Sequence, residues 1–375
     1  MRKLLLIMSI VLLANSADLM AQITTSALGG SVKDKNGAVP GANVVAVHEP
    51  TGTSYGTVTN GDGNFTISNM RVGGPYKVTI SFVGYKTQVY SDITLTLGET
   101  YLINHTLSEE GTQLEELVVT GAAEKESNLE KNGAVTNVTS RQLLTMPSIT
   151  RGLNDMLRMT PQGTSTNTGA FGGGNYRQNN FTVDGSDFNN SFGIGTNLPG
   201  NSNPISLDAL EAVTINITPY DIRQSGFIGS SMNAVTRSGT NTFSGSVYNF
   251  FRNQDQQGNK VQDETPFAKQ NLDVKTYGFR LGGPIIKNKL FFFANFETTT
   301  NTSPGQQNFA ATASAPYTGT GNIARPLASD LDTYSTYLKN TYGYDTGPYQ
   351  GYDFKSTNVK ATAKIDWNIN SNHRL

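Results

Sequence analysis

The sequence predicts a mainly β protein, and three observations carry that expectation. Glycine is abundant, at 39 of 375 residues, and 16 Tyr and 18 Phe accompany a single Trp. Short segments repeatedly alternate apolar with polar residues, the two-residue period of a half-buried strand. Clusters of Gly, Pro and Asn punctuate those segments as turns, and helical periodicity is scarce.

Composition narrows the function classes. The length allows roughly two or three domains of ordinary size. With 28 basic against 29 acidic side chains the formal net charge is −1, so nothing argues for nucleic acid as a partner. Cysteine is absent, which excludes disulfides, thiolate metal sites, cysteine nucleophiles and a lipidated N-terminal Cys.

The chain opens on Arg2-Lys3, an apolar run from Leu4 to Ala14, and small or polar residues up to Ala21-Gln22. A charged start, an apolar stretch of this length and a small residue before the break make residues 1–21 a secretory signal. The run falls short of the ~20 apolar residues that span a bilayer as a helix. Cleavage is expected after Ala21, although Leu19 is atypical three positions before the cut.

Residues 22–110 read as a small β-sandwich. Ala42–Val47 and Lys77–Val83 are rich in β-branched and aromatic residues, and Phe65, Ile67, Val78, Ile80 and Phe82 alternate with Thr66, Ser68, Thr79 and Ser81. Oxygen-bearing side chains in Asn60–Asn64 mimic a calcium loop. Phe65 stands where such a loop needs its turn Gly, however, and no Glu follows at the twelfth position, so the segment reads as a hairpin turn.

Next comes the stretch Leu114-Glu115-Glu116-Leu117-Val118-Val119-Thr120-Gly121. Its β-branched residues favour an extended backbone, Glu115 and Glu116 keep it soluble, and Gly121 ends it. Such a segment on a tether can add itself as a strand to a partner's open sheet edge, although an ordinary edge strand or linker fits the same residues. Residues 122–140, charged and poor in large apolar side chains, read as the tether. Ser148 then offers an N-cap, with Ile149, Leu153, Met156 and Leu157 on one helical face and Pro161 as the stop. The glycines of Gly169–Gly174 lack phosphate-loop spacing and read as loop. Phe181–Gly185 reads as a strand entering a turn, Ser186–Asn203 as a long polar loop, and Leu207–Ile217 as a return to order.

After Asn241 the alternating segments lengthen. Tyr277, Phe279 and Leu281 alternate with Thr276, Gly278 and Arg280; Leu290, Phe292, Ala294 and Phe296 alternate with Phe291, Phe293, Asn295 and Glu297. The clearest run sets Val359, Ala361, Ala363, Ile365 and Trp367 against Asn358, Lys360, Thr362, Lys364 and Asp366, and Thr242–Arg252 is a fourth candidate. A compact turn at Gly283–Asn288 and a long polar loop at Thr299–Thr357 complete the pattern. One apolar and one polar face suit strands of a membrane barrel. A soluble β-sandwich alternates equally well.

Several contiguous motifs carry a family resemblance. Gly30-Ser31-Val32, Pro40-Gly41-Ala42-Asn43-Val44, Gly63-Asn64-Phe65 and Val83-Gly84-Tyr85 resemble the carboxypeptidase-regulatory-like domain, an accessory module without peptidase chemistry. Asn180–Gly185, Asn203–Glu211, Pro219-Tyr220-Asp221 and Asn233–Asn241 resemble the plug of TonB-dependent outer-membrane transporters, most closely the Oar-like branch. Ser225 and Ser230 stand where that branch commonly has Gly.

The resemblance implies an accessory sandwich at 22–110, a TonB box at 111–121, a mixed α/β plug at 122–241 and the first strands of a large barrel at 242–375. Four strands cannot close a barrel, since open edges in hydrocarbon leave backbone groups unpaired, and transporters of this class use about 22 strands. The chain is therefore expected to be the N-terminal piece of a longer receptor. The resemblance further implies ligand uptake across the outer membrane, with an inner-membrane TonB protein pulling on Glu115, Glu116, Leu117, Val118, Val119, Thr120 and Gly121. The sandwich and box would then be periplasmic, the barrel would meet outer-membrane lipid, and Tyr176, Arg177, Asn180 and Phe188 would lie on the substrate side of the plug. The alternative is a non-transporting surface adhesion protein built of β-domains.

Catalytic, metal and cofactor sites are not expected. His48, His105 and His373 lie apart with no metal-ligand spacing, and His48-Glu49 reads as a solvent-exposed pair. No Gly-x-Ser-x-Gly elbow occurs, and Asp184 with Asp187 reads as turn chemistry. One outcome follows from the signal and the amphipathic strands: natively expressed protein fractionates with outer membranes and begins near Gln22. N-terminal sequencing of that fraction checks it, and uncleaved protein recovered from cytosol would overturn it.

Overall fold

In the computed structural model, the described residues are 23–109, 117–120, 134–146, 148, 150–161, 163–165, 170–190, 198, 203–217, 228, 230–258, 260, 271–305, 308–370 and 373–374. The signal segment, Glu115, Glu116 and Gly121 lie outside them. Two compact units emerge, one of residues 1–245, 280–295 and 361–375, the other of 246–279 and 296–360.

The first unit begins with the sandwich. Strands β1 (Ser26–Asp34), β2 (Gly37–Ala38), β3 (Asn43–His48), β4 (Thr53–Val58), β5 (Asn64–Met70), β6 (Gly73–Ser81), β7 (Gln88–Leu95) and β8 (Thr100–Thr106) form two sheets. One joins β2, β1 and β5, with β8 running parallel to β1; the other continues β4-β3-β6-β7. Their inward residues, among them Leu28, Val44, Phe65, Tyr76, Ile80 and Ile103, make one core. At Gly30 φ is +148°, and a Cβ there would lie 1.8 Å from the Ile103 carbonyl oxygen, so the β1–β8 approach requires glycine.

Two readings of this region need correction. Asn60–Asn64 is not a hairpin, because β4 and β5 belong to different sheets. Asn60 Oδ1 accepts the Asp62 and Asn64 N–H groups at 3.0 and 2.9 Å, shaping a crossover between layers. His48 is not solvent-exposed. It continues the inward set Val44-Ala46 of β3, meets Thr51 Oγ1 at 2.7 Å through Nδ1, and packs on the Tyr76 ring, while Glu49 faces water.

Beyond the sandwich lie β9 (Leu117–Thr120), β10 (Ala134–Thr139), helix α1 (Ser140–Thr145), a 3-10 turn at Leu153–Met159, β11 (Gly163–Ser165), β12 (Ala170–Phe171), β13 (Asn180–Val183), β14 (Ser186–Asp187), β15 (Leu210–Ile217) and β16 (Ser230–Thr236). A mixed sheet runs β10-β15-β16-β13-β14, with β13 parallel to β16. The tether reading of 122–140 is thus corrected at its end. Val135, Thr136, Val138 and Thr139 are β-branched and pair with β15, and Thr139 and Gln142 form a capping box that starts α1.

The expected helix from Ser148 is shorter and tighter, a 3-10 element beginning after Gly152. Ser148 bonds Asp155 instead of capping, while Leu153, Met156 and Leu157 are buried as read. Ser186–Asn203 is not wholly loop, since Ser186-Asp187 closes a hairpin with β13 through Asp184 (φ 48°) and Gly185 (φ 83°).

The last strands are β17 (Ser244–Asn253), β18 (Asp273–Ile286), β19 (Leu290–Pro304), β20 (Phe309–Ala311), β21 (Ile323–Leu327) and, after helix α2 (Ala328–Tyr342), β22 (Asp353–Trp367). Four of them make a sheet ordered β17-β18-β19-β22. Their exposure is inverted relative to a soluble protein. Tyr277, Phe279, Leu281, Val359, Ile365 and Trp367 face outward, whereas Thr276, Asn295, Glu297, Lys360 and Asp366 are buried. A water-soluble sandwich would bury the apolar set, so the inversion selects the barrel reading.

Within the second unit Lys360 Nζ meets Glu297 Oε1 at 2.6 Å, and Tyr248 donates to Glu297 Oε2 at 2.9 Å. The polar stretch 299–357 is not structureless. β20 and β21 pair in parallel, and α2 ends at left-handed Gly343, whose N–H reaches Lys339 O while Tyr344 N–H reaches Leu338 O.

Burial, with Arg71 second, lowers His48 from 6.5 to about 4. Because the folded value is depressed, neutral His48 costs nothing above about pH 6.5, and stability declines as pH falls toward about 4, by roughly 3 kcal/mol in full. Burial lowers His105 as well, so its contribution has the same sign. Thermal unfolding across this window should show the decline, and His48→Gln should flatten most of it. An unchanged slope would place the acid sensitivity elsewhere.

Candidate functional site

Two regions gather the residues singled out by sequence. The first is a sheet edge. Leu117–Thr120 forms β9 and pairs in parallel with β7 in the register Gln88–Leu117, Val89–Val118, Tyr90–Val119 and Ser91–Thr120. The sheet therefore ends β6-β7-β9. The chain reaches this edge from a pinned start: Tyr85 bridges Glu109, and Lys86 N–H donates to Ser108 O at 3.0 Å. Sequence reasoning recognised an extended segment made for strand addition. It also weighed an ordinary edge strand, and the structure shows the segment as one, beside β7 of the same chain.

The second region surrounds the β13–β14 hairpin. Asn175 and Gln178 cap a 3-10 turn that presents Tyr176 half-buried and Arg177 exposed, its guanidinium 5.2 Å from the Tyr176 ring centroid. Phe188 is half-buried against Phe181, with ring centroids 6.4 Å apart. Asn180 differs from these three. It is buried, and its Oδ1 accepts from Asn189 Nδ2 at 2.5 Å, while Asn189 Oδ1 accepts the Phe181 N–H at 2.7 Å. Tyr176, Arg177 and Phe188 are thus accessible near one hairpin, and Asn180 helps build it.

Below this surface, ionic groups that sequence reading passed over flank the buried sheet. Arg151 pairs with Asp208, whose backbone oxygen accepts from Arg280 Nη1 at 3.4 Å. Arg237 faces Glu211 at 3.6 Å. Asp184 accepts the Thr236 N–H at 2.9 Å and lies 4.0 Å from Lys364 Nζ. Burial by itself would raise Asp155, yet bonds from Ser148, Thr150 and the Gly152 N–H outweigh it and hold its carboxyl below the usual range. The sequence signal for this network was limited to Arg280 and Lys364 as polar members of alternating strands and Asp184 in a turn. Arg71, Arg237, Arg280, Lys364, Glu211 and Asp366 also border a cavity of about 680 Å³. Among the described residues, no group of three or more His, Asp or Glu is arranged to hold a metal ion, and no helix is long and apolar enough to cross a membrane.

The sheet joins the sandwich through both of its chemistries. Val72 and Leu97 pack with Ala212 and Val235, Asn137 Nδ2 donates to Glu99 Oε1 at 2.7 Å, and Thr214 Oγ1 lies 3.3 Å from Leu97 O.

Comparison with known proteins bears on these regions. Residues 27–108 match the carboxypeptidase regulatory-like domain, and residues 235–375 match the outer membrane beta barrel domain. Over 293 residues the chain is 29% identical to the TonB-dependent transporter Oar of Myxococcus xanthus, covering 72% of this chain and 26% of that protein. The chain thus spans about a quarter of that relative's length. Among solved structures, the siderophore receptor PirA of Acinetobacter baumannii matches with TM-score 0.35 at 22% identity, covering 44% of this chain and 24% of that one. The outer membrane transporter YddB of Escherichia coli matches with TM-score 0.40 at 11% identity, covering 63% and 31%.

Proposed function

We propose, for a chain that is homologous to a TonB-dependent transporter and lies in the outer membrane by its beta barrel domain, that the whole protein imports a ligand energised through Glu115–Gly121. In this reading residues 22–110 are a periplasmic accessory module, 111–121 the TonB box, 122–241 the plug and 242–375 the beginning of the barrel. The observation that carries it is the extended, edge-paired state of Leu117–Thr120. A segment that already completes a sheet through its backbone has the geometry a TonB protein needs for strand addition. No enzymatic step is required. Pulling on a segment that leads into β10 would act on the five-stranded sheet first, because β10 is its edge strand.

Ligand contact is assigned to the accessible hairpin residues. Replacing Tyr176, Arg177 and Phe188 together with Ala in the complete receptor should weaken ligand binding at the cell surface while leaving abundance unchanged. Unaltered affinity would assign these side chains to packing alone.

Energy coupling gives a separate outcome. Proline at Val118 removes an N–H, locks φ and restricts Leu117, so it blocks pairing that alanine would tolerate. Each backbone bond is worth only about 0.5–1.5 kcal/mol net, but a four-residue strand has few to lose. Val118→Pro in the complete receptor should keep normal abundance and surface binding and fail in uptake. Import at the wild-type rate would make the segment a linker.

A further inference from the structure

We propose that the accessory sandwich is a holder for the coupling segment: the open edge of β7 docks Leu117–Thr120 at rest, and a TonB protein gains the segment only by strand exchange. This rests on reading the segment as the TonB box.

Without β9, β7 would be the last strand of its sheet, and the outward N–H and C=O groups of Gln88–Ser91 would have no strand beside them. Those residues make a firm edge. Gln88, Val89 and Tyr90 are all buried, and Tyr90 belongs to the sandwich core. The register is continuous over four pairs. Delivery is local as well. The chain leaving β8 is fastened beside the start of β7 by the Tyr85–Glu109 bridge and the Lys86–Ser108 bond, so only residues 110–116 separate the fastened end from the docked strand. A tether this short presents the segment to β7 at an effective concentration on the order of millimolar. A competing partner sees its apparent affinity reduced by the fraction of time the segment is free.

Exchange, not addition to the outer edge of β9, follows from where force must go. While β9 is paired to β7, tension on Leu117–Thr120 loads the sandwich. Once it is released, the same tension passes along residues 121–133 to β10 and the buried sheet. The sandwich thereby sets the threshold at which coupling begins. Its Leu97–Glu99 corner rests on β10 and β15, so the holder is joined to the element that would be pulled.

The cysteine-free sequence permits a direct test in the complete receptor, in outer-membrane vesicles. Ser91→Cys with Thr120→Cys places thiols at directly opposed positions, and Asp62→Cys with Thr120→Cys is the off-register control on an exposed turn. Mild oxidation should cross-link the first pair and not the second. Cross-linking should lower binding of a purified TonB C-terminal domain about tenfold or more, the order set by the effective concentration of the tether, and reduction should restore it. Absence of the cross-link would overturn the docking. Equal binding by the cross-linked and reduced forms would mean that TonB adds to the outer edge, which overturns the holder and leaves the box assignment standing. Failure of the reduced and wild-type receptors alike to bind would overturn the box assignment, and the holder with it.

Discussion

Backbone pairing at strand edges is the constraint on which the rest of this structure depends. A strand edge presents donors and acceptors that must meet another strand, water or a covering element, and in hydrocarbon only another strand will serve. The chain meets that demand in different ways. β8 closes one side of β1 in parallel, β14 folds back on β13 through a tight Asp-Gly turn, and β9 returns to finish the second sandwich sheet. Each closure is bought with a local sequence device. Gly30 lets β1 and β8 approach, Asp184-Gly185 supplies two positive φ angles, and the β-branched residues of Leu117–Thr120 hold an extended backbone.

The second organising feature is which face is wet. In the sandwich, alternation puts Val44, Ala46, Val78 and Ile80 inside, the ordinary arrangement in water. In β18 and β22 the rule reverses, with aromatic and aliphatic side chains facing outward; β19 is mixed, burying Phe291 and Phe293 on the same face as Asn295 and Glu297, and Lys360 and Glu297 are buried together. A buried ion pair is stable only when its partner is present, and removing one member of such a pair typically costs about 3–5 kcal/mol. An inner face that carries this pair beside Thr276 and Asn295 fits a polar lumen. An outer face of Val, Ile, Tyr, Phe and Trp fits lipid.

In the five-stranded mixed sheet the central strands β15, β16 and β13 are buried on both faces, whereas β14 is exposed and β10 mostly half-buried. One face, with Phe181, Val183, Val213, Ile215, Met232 and Ala234, forms an apolar core with the 3-10 turn and α1. The other carries Thr182, Thr214 and Asn233, each hydrogen-bonded across strands: Thr182 Oγ1 to Asn233 Oδ1 at 2.7 Å, and Thr214 Oγ1 to Asn137 Oδ1 at 2.6 Å. Satisfied polar layers of this kind hold a register without greasing the interface, because a slip would strand several buried groups at once. The ionic groups at its margins, Arg151–Asp208, Arg237–Glu211 and Lys364 near Asp184, tie the sheet to neighbouring segments.

The sequence alone determined the mainly β character, part of the sandwich core (Phe65, Ile67, Val78 and Ile80), the positions of the four long amphipathic strands and the extended character of Leu117–Thr120. All of these rest on short-range physics: side-chain alternation, β-branching and turn chemistry act over a few residues and are written locally. It misjudged Asn60–Asn64, His48, the helix near Ser148 and the start of β10, each for the same reason. Whether a turn joins one sheet or two, whether a histidine points in or out, and whether a polar stretch is tether or strand depend on what packs alongside. Alternation also could not say which face of the long strands met water, since pattern has a period but no sign. Only the tertiary structure decided that, by burying Lys360 with Glu297, and only it revealed that β9 lies along β7, because an edge strand's partner is chosen by three-dimensional proximity that no local pattern encodes.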